Sequence, residues 1–175
     1  MRKNLKIAFS GIMCALTVVL LALASVIWLL DYTSPLICGL LLIVPIESFG
    51  RKSAFCVYAA ACILSLFLLP SKGAAVLYAM FCGYYPIIRK DIEKLKSRFL
   101  RIIIKFAVFN LGAVGSELVM VYVFKVPFEN FLGVWGIVIL LLAGYVILFT
   151  FDRLIHVFTI IYVKKYKKRF EKLLK

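Results

Sequence analysis

The sequence predicts an all-α integral membrane protein, a bundle of about six transmembrane helices with both termini cytoplasmic. Three observations predict it: an excess of apolar residues, their grouping into runs of spanning length, and a one-sided distribution of basic residues. Of 175 residues, 65% are hydrophobic and 17% charged, against roughly 45–50% and about 25% in a soluble domain. No single globular core could hold that excess, whereas a bilayer accepts it. The chain has 22 Lys plus Arg and 8 Asp plus Glu, a net charge of +14. Because the basic residues sit in short blocks between apolar runs, they read as orientation signals and not as a nucleic-acid footprint.

The runs are residues 5–30, 33–49, 53–69, 74–88, 102–124 and 131–163, and a span needs about 20 apolar residues, fewer when flanking side chains snorkel. The first follows a basic start but is too long for a signal-peptide core and lacks a small-x-small cleavage site, so it is expected to remain as a helix. Pro35 is expected in the first turn of the second helix, where its missing N–H costs nothing, and Pro45 is expected to kink that helix. The third and fourth runs are short, joined by Pro70–Gly73, and are expected to be tilted or partly re-entrant. The sixth is longer than one perpendicular span needs. Either it spans 131–151 and continues along the inner surface, or residues 131–136 form an outer loop. Gly133 and Gly136 favour the loop, since glycine weakens a helix.

Orientation follows from the cations. With the amino terminus inside, the inner segments hold Arg2, Lys3 and Lys6, then Arg51 and Lys52, then six between Arg89 and Arg101, and seven between Lys164 and Lys175. The outer loops hold Lys72 and Lys125. Segment 89–101 reads as a basic amphipathic piece with Ile92, Leu95 and Phe99 on one face, suited to lie on an anionic inner leaflet. Segment 164–175 is a basic tail. The whole chain, 1–175, reads as one transmembrane domain without repeats.

Charges inside apolar runs mark candidate sites, since each costs roughly 2.5–3.5 kcal/mol at a bilayer centre. Glu47 is expected to pair with Arg51 four residues on. Glu117 lies in the outer half of the fifth run, with Asn110 seven residues before it on the same face. It should meet a ligand, a cavity, or a basic partner such as Arg153 or Lys72. Asp152, His156 and Thr159, spaced i, i+4 and i+7, form a polar stripe flanked by Arg153, with Tyr145 further back. An interhelical hydrogen-bond seam is the ordinary reading of that stripe; a proton path or metal site is the sharper one. Trp28, Tyr78 and Trp135 are placed for an interfacial aromatic belt, or for the walls of a ligand pocket. Cys14, Cys38, Cys56, Cys62 and Cys82 fall inside apolar runs without C-x-x-C spacing and read as small packing residues. No P-loop, H-E-x-x-H or G-x-S-x-G motif is present, so the chain reads as a non-enzyme with no cofactor and no metal.

The first helix opens Lys6-Ile-Ala-Phe-Ser-Gly-Ile-Met-Cys-Ala15, and Gly11-x-x-x-Ala15 is a small-xxx-small pair suited to close helix packing. With this opening, its length, its six runs and its inward termini, the chain resembles the S components of energy-coupling-factor vitamin transporters, the substrate-binding membrane subunits. That family carries an Ala-x-x-x-Ala motif in helix one, and Gly11 departs from it. The helix end Gly83-Tyr-Tyr-Pro-Ile-Ile88 is also similar to one in small bacterial membrane proteins of like architecture, a likeness that implies no function. The S-component resemblance implies a multi-pass protein of the bacterial inner membrane that captures a small molecule in the outer half of the bundle. Glu117 and Asn110 would anchor the ligand, with Trp28, Tyr78 and Trp135 as walls. Gly11 and Ala15 would contact a coupling membrane subunit, powered by paired ATPases. Two alternatives stay open: a scaffold or lipid-binding subunit of a membrane complex, and a small proton-coupled carrier using Glu117, Asp152 and His156.

Overall fold

The apolar runs fold into helices that pack against one another in alternating directions. The computed structural model describes residues 3–27, 30–125 and 133–166, and no strand occurs among them. The first half contains α1 (Lys3–Val26), α2 (Leu30–Leu41), α3 (Ile43–Phe49) and α4 (Arg51–Leu68). Pro35 lies inside α2 and not in its first turn. The helix begins earlier because Asp31 occupies that turn, where the exposed amides and the helix dipole favour a carboxylate. α2 and α3 are separated at Leu42, one turn before Pro45, which cannot donate to the preceding turn. Gly50 closes α3 at φ 87°, a left-handed conformation that glycine adopts without a Cβ penalty.

The fourth run is broken. It consists of α5 (Gly73–Leu77), a π-helical turn (Tyr78–Cys82) and α6 (Tyr85–Glu93). The wide turn is closed by the Gly83 amide donating to the Tyr78 carbonyl, five residues back, at 2.8 Å. The Tyr58 hydroxyl of α4 donates to the Ala79 carbonyl at 2.6 Å, so a neighbouring helix satisfies an acceptor that the wider turn leaves available. This segment is also the most enclosed, with Ala74, Ala75, Val76, Tyr78, Phe81, Cys82 and Tyr85 all buried. Its backbone is approached closely: a Cβ at Gly39 of α2 would stand 2.5 Å from the Cys82 carbonyl oxygen.

The second half contains α7 (Arg98–Tyr122) and α8 (Gly133–Ile161), followed by a π-helical turn at Tyr162–Tyr166. Two expectations are corrected here. Segment 89–101 is not one amphipathic helix, because α6 ends at Glu93 and α7 starts at Arg98. The Ser97 hydroxyl accepts from the Leu100 amide and begins a new helix, so Ile92 is buried while Phe99 is exposed. Residues 133–136 of the expected outer loop are helical, and residues 131–132 lie outside the described residues.

Among the described residues, five helices are long and apolar enough to cross a membrane: Asn4–Val26, Leu30–Phe49, Arg51–Leu68, Arg98–Tyr122 and Leu142–Lys165. The broken α5–α6 segment falls short of a continuous span. The outer surface is strongly apolar, with Ile7 71%, Phe67 82%, Leu111 74% and Val146 67% exposed, while the interior holds Ala, Cys, Ser and Tyr. A water-soluble chain buries such residues. This is a multi-pass membrane protein.

Candidate functional site

The cation-bearing segments meet at one end of the bundle. There the Phe9 and Phe49 rings lie 5.4 Å apart, joining the start of α1 to the end of α3. Ser48 and Tyr162 hydroxyls share a hydrogen bond of 2.6 Å, joining α3 to the end of α8. Among the described residues, every Asp and Glu side chain at this end is paired with a cation.

The deepest of these is Asp152 on α8. Its Oδ1 accepts from Arg89 Nε at 2.8 Å and from the Tyr85 hydroxyl at 2.8 Å, and its Oδ2 accepts from Lys105 Nζ at 2.6 Å. Arg89 also pairs with Glu93. The side chains of Arg89, Lys105 and Asp152 are only 6%, 17% and 19% exposed. Tyr85, Arg89 and Glu93 recur every four residues on α6, so they share one face. Two cations and two carboxylates balance the cluster, and it joins α6, α7 and α8.

Around it lie three further ion pairs, one of them between Lys94 and Asp91 at 3.4 Å. Glu47 of α3 pairs with Lys90 at 2.5 Å, and Arg51 of α4 pairs with Asp91 at 2.6 Å. The expected Glu47–Arg51 pair does not form. The two residues lie on different helices, separated by the turn at Gly50, so the i,i+4 relation of a continuous helix does not apply. The Arg51 hydrogen bond holds the Asp91 carboxyl below its ordinary pKa.

Between α3, α6 and α8 opens a cleft of about 190 Å³. Its charged lining is Glu47, Arg89, Lys90 and Glu93; its apolar walls include Ile43, Ile46, Ile155 and Ile160. His156 and Thr159 also line it, with the Thr159 hydroxyl returned to the Ile155 carbonyl at 2.7 Å. The Asp152–His156–Thr159 stripe therefore divides, Asp152 joining α6 and α7 while the other two border the cleft. Arg153 points elsewhere, its guanidinium 4.9 Å from the Phe149 ring centroid.

The remaining sequence candidates lie away from this cluster. The Asn110 amide of α7 donates to the Phe106 carbonyl at 2.9 Å and accepts from the Tyr145 hydroxyl of α8 at 3.1 Å. Phe106 and Phe109 rings flank Tyr145 at 4.9 and 5.5 Å, so this side of α7 faces α8. Glu117 follows Asn110 by seven residues, about 20° short of two full turns, and so lies on that side, nearer the end opposite the cationic segments. It is exposed and has no ion-pair partner among the described residues. Lys72 does not reach it, because its ammonium is held by the Leu66 and Leu69 carbonyls. Tyr78 is fully buried beside Tyr58, with ring centroids 5.9 Å apart, and its hydroxyl has no hydrogen-bond partner in the described structure. Trp28 lies outside the described residues, as does the side chain of Trp135. Gly11 and Ala15 are exposed on α1, and a Cβ at Gly11 would touch nothing.

Sequence reasoning passed over Tyr85, Arg89, Glu93 and Lys105 as members of one cluster. Two signals were present: the four-residue spacing of the first three, and a lysine four residues into the apolar run that begins near residue 102. Among the described residues no three His, Cys, Asp or Glu side chains converge as metal ligands.

No protein-family model, curated protein or solved structure matches the chain. Its function is therefore read from its own geometry.

Proposed function

We propose that this chain is a non-catalytic, solute-binding subunit of a transporter, of the S-component kind, embedded in a bacterial cytoplasmic membrane. Both termini and the cationic end face the cytoplasm, following the positive-inside rule. The observation that carries the reading is Glu117. It is a carboxylate in an otherwise apolar stretch, on the α8-facing side of α7, two turns outward of Asn110 and without a cationic partner among the described residues. A carboxylate within a span requires compensation, and a basic or hydrogen-bonding group on a captured solute supplies it. Asn110 provides a second polar anchor, already oriented by Tyr145. The uncovered Gly11–Ala15 face of α1 suits close approach by a helix of a coupling membrane subunit, with separate ATPases providing the power stroke.

Mass spectrometry of small molecules released from gently purified protein tests this. A solute retained by the native chain and lost in Glu117→Gln supports the reading; a correctly folded protein that retains none rejects it.

One observation favours a second reading, a non-transport scaffold subunit. Away from the cationic end the core is closely filled, with Ala61, Ser65, Ala74, Ala75 and Tyr78 all fully buried. Under that reading Glu117 pairs with a neighbouring subunit. Co-purification of a partner that is lost in Glu117→Gln, without any retained solute, would distinguish it.

A further inference from the structure

We propose that the cleft between α3, α6 and α8 seats the headgroup of a zwitterionic phospholipid bearing a primary ammonium, the phosphoethanolamine class. This site is separate from the one built on Glu117 and stands without it.

Three properties of the cleft lead there. The first is its shape and lining. Ile43, Ile46 and Ile155 wall it, and Ile160, 40% exposed, stands at its mouth. A hydrocarbon chain leaving the cleft therefore continues onto apolar helix surface, which suits an amphiphile better than a free polar solute.

The second is charge balance. The protein carries +14, yet Arg89 and Lys90 in the lining are matched by Glu47 and Glu93, two cations against two carboxylates. An anionic headgroup entering here finds each cation already opposed by a carboxylate. A dipolar headgroup finds both signs within one cleft.

The third is unused bonding capacity. Lys90 gives one N–H to Glu47 Oε1 and has two more. Glu93 holds Arg89 through Oε1, and a carboxylate accepts about four hydrogen bonds. His156 lines the cleft without a hydrogen-bond partner among the described residues. Lys90 and His156 are placed to donate to phosphate oxygens, while Glu47 and Glu93 accept from the ammonium. A choline head is disfavoured because its nitrogen has no N–H and is recognised by the faces of Trp, Tyr or Phe rings, none of which line this cleft among the described residues.

The test uses the full chain reconstituted in bilayers of equal parts phosphatidylethanolamine, phosphatidylcholine and phosphatidylglycerol with identical acyl chains. The protein is extracted in mild detergent, and native mass spectrometry counts the lipids it retains. One bound phosphatidylethanolamine is expected, favoured over either competitor by about fivefold or more, a preference of roughly 1 kcal/mol. Glu47→Gln combined with Glu93→Gln should abolish the preference over phosphatidylcholine. Ile160→Trp narrows the mouth without changing any charge; it should lose the retained lipid while the protein stays monodisperse. That variant decides the matter if the carboxamide variant does not fold. Equal retention of all three lipids, preference for phosphatidylglycerol, or unchanged retention in monodisperse Ile160→Trp would overturn the proposal. Displacement of the lipid by soluble phosphoethanolamine alone would overturn it as well, since the chain would then not be part of the ligand.

Discussion

The bundle is joined in two different ways on its two sides. Where α2 and α4 meet the broken α5–α6 segment, contact is made by small residues and backbone. Gly39 lies against the Cys82 carbonyl, and Ala54, Ala61, Ala74 and Ala75 are almost or fully buried. Where α7 and α8 join, contact depends on polar and aromatic side chains: the Asp152 cluster, the Asn110–Tyr145 hydrogen bond and the Phe81 ring, with Phe109 at 5.4 Å and Phe151 at 6.1 Å. Close approach gains dispersion energy over many atoms, and any added atom disrupts it. A charge cluster concentrates its stabilisation in a few groups and fails when one is removed.

This contrast sets the order of effects expected from substitution. The largest should come from Asp152→Ala, which leaves Lys105 partly buried without a carboxylate and Arg89 with Glu93 alone; removing one partner of a buried pair costs about 3–5 kcal/mol. Unfolding in mixed detergent should report it, and adding Lys105→Ala should recover part of the loss. Simple additivity of the two would break the idea of a shared cluster. Gly39→Ala should cost about 1–3 kcal/mol through overpacking against a carbonyl that cannot yield as a side-chain tip would. A neutral result in the same assay would mean that α2 stands further from the π-turn than described. Tyr145→Phe should cost about 0.6 kcal/mol, the average for hydrogen bonds between membrane helices, ranking this contact well below Asp152.

The smallest effect concerns Arg51 and Asp91, an exposed pair. Asp91 has a lowered folded-state pKa, so its contribution is present above the unfolded value of about 3.9 and lost as pH falls through the folded value. Carboxyl NMR should find Asp91 titrating below the ordinary aspartate range. Arg51→Gln should raise it part of the way, since Lys94 also bonds this carboxylate, and salt should weaken the difference.

The helical class was legible because a bilayer imposes run length and loop charge directly on the sequence. Asp152 and Glu117 were legible as charges within apolar runs. Their neighbours were not, because helix periodicity assigns a residue to a face without naming the helix that face meets. Glu47 illustrates this: the sequence offered Arg51 by spacing, but the turn at Gly50 separated them, and Lys90 arrived from a helix some forty residues away. The break in the fourth run was hidden for another reason. Its residues are as apolar as those of a continuous helix, and the π-turn is held by Tyr58 from outside the segment.

That turn also acts as an inserted count along the fourth segment. A π-turn accommodates one residue more than the α-helix it interrupts, and one residue corresponds to about 100° of rotation. Deleting a single position within 78–82 and letting the segment relax to regular helix would swing Arg89 a quarter-turn or more around its axis. The alignment of three helices on Asp152 thus depends on a one-residue register shift set some two turns upstream.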